Sequence, residues 1–263
     1  MRSILCSENL QRPMSKFGTI TLVPSVHYSP IHRSRVRSTI QETDPDIVAV
    51  ELGAERYDRL QTDSPLDASN LARDRPASTA ATYQMLKTIQ QTVARLYGLD
   101  PGQSDMEVAI DTAADLDIDV ALIDEPISET IEALSARVGL DTIPKMLVRT
   151  QFIGPQEWAE QVGLWMRPLS TITSGDDVQP AVDQLRRLLP EVATVLIDQR
   201  DRAMARRLHR LRYEGADVVA VIGAGHHNGI ETALDAFTNQ AVETDTTVPI
   251  RSPSRELTTI PVE

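Results

Sequence analysis

Short runs of apolar, largely β-branched residues recur along the chain, separated by longer stretches in which apolar residues return every three or four positions. The runs are GTITLV (18–23), IVAVEL (47–52, ending on Glu51 and Leu52), DVALI (119–123) and ADVVAVIG (216–223). Each is apolar on both faces of an extended chain, the pattern of strands buried inside a parallel sheet. The longer stretches predict helices. One covers 31–43, where Ile31, Val36 and Ile40 recur at near-helical spacing, and a short one covers AERYDRL. Others cover about 79–97, a segment from Asp105, 128–138, 146–166, a region up to Leu189, and 191–213 opened by Pro190. HNGIETALDAF supplies a last helix. Strands alternating with helices indicate an α/β fold, a mostly parallel sheet covered by helices. The mainly helical middle of the chain predicts an insertion or cap beside that sheet. A single domain over 18–245 follows, with 1–17 and the Thr/Pro/Ser-rich 246–263 as flexible termini.

Composition narrows the function. The 263 residues carry a net charge of −12, which disfavours a nucleic-acid partner, since phosphate binding needs clustered cations. Lys16, Lys87 and Lys145 are the only lysines, while arginine and aspartate abound. A carboxylate-rich, lysine-poor surface is expected of a halophilic protein, where concentrated salt screens self-repulsion. Cys6 stands alone, so no disulfide framework or thiolate metal cluster is expected. No apolar run reaches the ~20 residues of a spanning helix, and no signal-peptide pattern is present. A soluble cytoplasmic protein is the expectation. Nothing in the sequence sets an oligomeric state.

The carboxyl ends of parallel strands form the crevice where α/β proteins place their chemistry. Here those ends bring His27, Glu51, Asp124, Glu125 and His226 to one edge. A carboxylate closing an apolar strand needs a partner, a proton or a cation. Two imidazoles and a carboxylate suit a divalent ion with an open position. On the 191–213 helix, Arg200 shares a stripe with Leu196, Met204, Leu208 and Leu211, so its charge must meet a carboxylate or an anionic substrate there. The glycines of VVAVIGAGHHNGI also permit a nucleotide-phosphate cradle. The histidines at 226 and 227 and the short remaining chain weigh against it.

Five segments, in order, resemble the TraB/PrgY family, which is grouped with Tiki-type metalloproteases and the erythromycin-esterase and ChaN-like proteins. GTITLVPSVHYSP resembles the family's opening GTAHVS-type strand and loop, and DPDIVAVELGAERYDRL its P-D-x-V-x-x-E-L segment. PGQSDMEVAIDTA followed by VALIDEPISETI comes next. DQRDRAMARRL resembles its E-R-D segment, and VVAVIGAGHHNGI its closing V-G-x-G-H-x-x-G-I. The resemblance implies a hydrolytic centre of His27, Glu51, Arg200 and His226, with Arg56, Asp105, Asp124 and Asp201 in support. His27, Glu51 and His226 would bind Mn, Co or Zn. Arg200 would steady a carboxylate or an oxyanion. The implied activity is metal-dependent hydrolysis, of a peptide or another small substrate. Pro24 replaces the first glycine of the first G-x-x-H, Gln199 replaces a glutamate, Glu125 an arginine and Asp105 a glutamate. These departures bear on catalysis more than on fold, and keep a non-catalytic binding or regulatory protein as the alternative. A nucleotide-binding oxidoreductase is the third reading.

Overall fold

A computed structural model describes residues 17–26, 29–62, 104–138, 142–151, 171–238 and 247–252, with positions 154, 156, 163 and 168 between them. The elements, in chain order, are β1 (Ile20–Ser25), α1 (Pro30–Thr43), β2 (Ile47–Val50), α2 (Ala54–Thr62), α3 (Asp105–Leu116), β3 (Asp119–Leu122), α4 (Ile127–Arg137) and α5 (Thr142–Thr150). A 3₁₀ turn at Gly175–Asp177 leads into α6 (Gln179–Leu188) and α7 (Pro190–Ala193). A π turn, Thr194–Gln199, joins α7 to α8 (Arg200–Tyr213). Then come β4 (Val218–Gly223), a 3₁₀ turn at Ala224–His226, α9 (His227–Thr238) and β5 (Ile250–Arg251). The strand order is β1-β4-β2-β3-β5. The first four strands run parallel, and β5 pairs antiparallel with β3. This is the expected α/β sheet covered by helices.

The sheet sorts its side chains by the two-residue period of a strand. On one face Val48 and Val50, Val120 and Leu122, and Val219 and Val221 pack with Val36, Ile40, Met106 and Ala109 of α1 and α3. On the other face Ala49, Ala121 and Ala220 pack under Met204, Leu208 and Leu211 of α8 and Ile230 of α9. The three alanines lie side by side in register. Small residues there let α8 approach the sheet closely. Position 51 continues the face of Ala49, so the chain delivers Glu51 toward α8.

Several boundaries differ from expectation. Strand β1 continues through Pro24, which pairs with Ile222; β1 is an edge strand, where a missing N–H is tolerated. In α1 the buried residues are His32, Val36 and Ile40, a clean four-residue spacing, while Ile31 is 52% exposed. The tail expected to be flexible from 246 supplies β5, with Val248 packed on the core and the Leu122 N–H donating to the Pro249 carbonyl at 2.9 Å. Its β-branched Val248 and Ile250 suit an edge strand. The helix expected over 191–213 is interrupted by the π turn. The helix at 79–97, and most of that expected over 146–166, lie outside the described residues.

Candidate functional site

The carboxyl ends of β2, β3 and β4 meet the first turn of α8. Glu51 follows β2, and its Oε2 accepts the Gly223 N–H at 2.6 Å at the end of β4. Asp124, two residues beyond β3, receives a forked pair of bonds from Arg200, Nε to Oδ1 at 3.0 Å and Nη2 to Oδ2 at 2.9 Å. Arg200 Nη2 also donates to Glu51 Oε1. Nη1 donates to the Leu196 carbonyl at 3.2 Å and lies 3.1 Å from His226 Nε2. Leu196 sits in the π turn, where the Arg200 backbone N–H bonds Ile197 instead. The π turn thus presents a carbonyl to the guanidinium as well as setting its direction, a use such turns often serve at functional positions.

His226 completes the cluster. Its Nδ1 is 2.6 Å from Asp201 Oδ1 and its Nε2 is 3.3 Å from Glu51 Oε1. Glu51, Asp124, Asp201 and His226 are all buried. Three carboxyl groups therefore surround one guanidinium and one imidazole, and negative charge is in excess. Burial by itself would lower the Arg200 pKa, but the Glu51 and Asp124 carboxylates hold it above its ordinary value. Burial likewise opposes the charged form of His226; Glu51 and Asp201 outweigh it and raise the imidazole to about 9. The Asp201 carboxyl is raised by burial, with the His226 hydrogen bond acting against the shift. Asp201 also touches Gly229 in α9, where any Cβ would collide with its Oδ2. Only glycine permits that crossing.

The structure thus brings Glu51, Arg200, His226, Asp124 and Asp201 together. Asp105 is elsewhere on the edge. It opens α3, fully buried, and its Oδ2 accepts from Ser25 Oγ at the end of β1. Arg56 is half-buried in the first turn of α2 and has no side-chain partner among the described residues. His27 lies outside the described residues. Of the two roles expected of Arg200, the geometry matches the carboxylate clamp, since its N–H groups are directed at acceptors of the protein itself. His32 went unremarked in the sequence. Its Nδ1 accepts the Val26 N–H at 3.1 Å and so braces the chain just before 27. The signal was its place in the 32/36/40 stripe.

The departures from the family pattern fall at different depths. Gln199 accepts a bond from Arg137 at 3.2 Å on an exposed face, apart from the cluster. Glu125 is half-buried, and burial raises its pKa against the nearby Arg207 cation. Gly223, the first glycine of the candidate phosphate cradle, spends its N–H on Glu51.

Among the described residues, no three His, Cys, Asp or Glu side chains are arranged to hold a metal ion. Among the described residues, two of the three expected ligands supply donor chemistry in keeping with a divalent cation, and His27 is not among them. Glu51 and His226 are adjacent, Asp201 bonds the far nitrogen of the imidazole as carboxylates do behind metal-bound histidines, and the excess charge is negative.

A profile of the TraB/PrgY/gumN family matches residues 13–245. The chain belongs to the TraB/PrgY/gumN family. It is also 28% identical over 222 residues to an uncharacterized protein of Methanocaldococcus jannaschii, an alignment covering 84% of this chain and 54% of that protein. The chain thus spans about half the length of this relative. Among the described residues, no helix is long and apolar enough to cross a membrane.

Proposed function

We propose that this family member is a metal-dependent hydrolase acting on peptides or another small substrate, with its centre at the carboxyl edge of the sheet. The observation that carries the reading is the paired support of Glu51 and His226. One is clamped by Arg200 and the Gly223 N–H, the other by Asp201. Glu51, His226 and His27 would hold the ion, Mn, Co or Zn. Such an ion, when bound, polarises a carbonyl and lowers the pKa of water.

The chain's own residues do the rest. Asp201 Oδ1 would hold a proton on His226 Nδ1, so that Nε2 is the donor atom once binding of the ion has displaced the second proton of the imidazolium. Arg200, fixed by Asp124, keeps Glu51 oriented, with Oε1 facing the imidazole. Glu51 then serves either as ligand or as the base that accepts a proton from water. Asp124 is a positioning residue, because it acts through Arg200.

Metal analysis of protein purified without chelator tests the reading. The wild type should carry near-stoichiometric Mn, Co or Zn. His226→Ala should carry none while keeping its circular dichroism under native conditions, although it should unfold more easily because Glu51 and Asp201 lose a buried partner. A wild type that stays empty when supplied with all three ions sinks the hydrolase and leaves a binding or regulatory protein.

A further inference from the structure

A cavity of about 480 Å³ opens between α6, α8 and α9, with Asp201 in its wall. Its cations are unevenly satisfied. Arg186 is neutralised by Asp198 at 2.9 Å and Asp183 at 3.2 Å. Arg202 and Arg206 line the same cavity, exposed on α8, and neither has a carboxylate partner among the described residues. They are four residues apart, so their like charges repel along the helix face. Gly225 of the preceding 3₁₀ turn and Asn228 and Gly229 in the first turn of α9 also line the cavity, adding the positive end of a 12-residue helix. Phe237 and Ala233 give it an apolar side.

The inner wall supplies a second kind of signal. Asp201 is 3% exposed, and its Oδ2 is buried without any hydrogen-bond partner. A buried acceptor left unsatisfied is costly, and a ligand donor is one way to satisfy it. The cavity therefore offers an anion subsite at its mouth and an acceptor at its floor, with apolar carbon between them.

We propose that this cavity binds a small molecule bearing a phosphate or carboxylate group, the oxyanion on Arg202 and Arg206 and a hydroxyl or ammonium group on Asp201. Because Asp201 Oδ1 also holds His226, an occupant reaches the carboxyl group that supports the candidate centre. Binding itself does not depend on the hydrolase reading.

Calorimetric titration of EDTA-treated protein tests the proposal, since stripping excludes capture of anions by a bound metal. Glycerol 3-phosphate and malate are the probes, separating phosphate from carboxylate, with glycerol as the uncharged control. At least one anion should bind at a single site, and glycerol should not. The double variant Arg202→Ala/Arg206→Ala should weaken that binding by about tenfold or more, as loss of charge-assisted bonds predicts, with an unchanged melting temperature because both side chains face solvent. Thr232→Trp, which fills the cavity without altering charge, should block it as well. The proposal is overturned if neither anion binds the wild type, if the double arginine variant binds as tightly, or if binding survives in Thr232→Trp.

Discussion

Two polar clusters lie behind the same sheet edge, both largely buried and differently made. At the end of β1, Ser25 Oγ donates to Asp105, and His32 accepts the Val26 N–H. Asp105 stands in the first turn of α3, just after a Ser104–Glu107 capping box, where helix N–H groups stabilise an anion. At the ends of β2, β3 and β4, by contrast, Glu51, Asp124 and Asp201 surround Arg200 and His226 and displace their titration. The first cluster stands at a helix terminus and ties the end of β1 to α1 and α3. The second relies on opposite charges, so its stability depends on every partner being present. Clusters of this second kind, with perturbed titration in a crevice, are where chemistry is more often found.

Removing the central cation should give the largest effect. Arg200→Met leaves Glu51 and Asp124 buried without their cation, and should cost about 3–5 kcal/mol. Urea unfolding would read this directly. Ser25→Ala, which removes one hydrogen bond from the other cluster, should cost about 1–2 kcal/mol. If Arg200→Met costs no more than Ser25→Ala, the two clusters do not differ in the way described.

Next in size is a pH effect confined to the charged cluster. The His226 pKa is raised in the folded chain from an ordinary 6.5 to about 9, so its contribution is complete below pH 6.5 and is lost as pH rises through 9. In metal-free protein, the unfolding free energy should fall by roughly 2–3 kcal/mol between pH 6 and 10. Asp201→Asn should shrink that loss, since the hydrogen bond from Asp201 helps to raise the imidazole. Ser25→Ala should leave it unaltered. A flat profile in the wild type would remove His226 as the source.

The smallest effect concerns salt. Concentrated KCl should raise the melting temperature of the wild type by screening its acidic surface. The difference between wild type and Arg200→Met should change by no more than about 0.5 kcal/mol, because buried pairs are little screened. A difference that collapses in molar KCl would place the Arg200 contacts in solvent.

The sheet was legible because its strands are apolar on both faces, a pattern that few other structures require. Glu51 and His226 were legible for the same reason: each polar residue closes an apolar run. Arg200 was found through its stripe, although that stripe assumed an unbroken helix. In the structure the π turn shifts the phase, and Val195 is buried where Leu196 was expected to be. Hydropathy does not encode a hydrogen-bond shift of one residue. His32 was missed because a polar residue in an apolar stripe is easily passed over in favour of its neighbour Ile31. The pairing of Asp201 with His226 depends on α8 crossing α9 at Gly229, a contact between distant segments that local pattern does not carry. Strand β5 was missed because two residues flanked by Pro249 and polar positions are too few to show a period.

The π turn before Arg200 has a consequence for how this stretch of chain can change. Each residue of a regular helix advances the side chains by about 100°, and the π turn takes up one residue more than a regular turn would. Deleting one position between Thr194 and Gln199 would therefore let a regular helix form while Val195 on one side and Met204 and Leu208 on the other keep their seats. The turn works as a clutch between two helices that answer to different neighbours. It absorbs a change of one residue in length that in an unbroken helix would disengage one side.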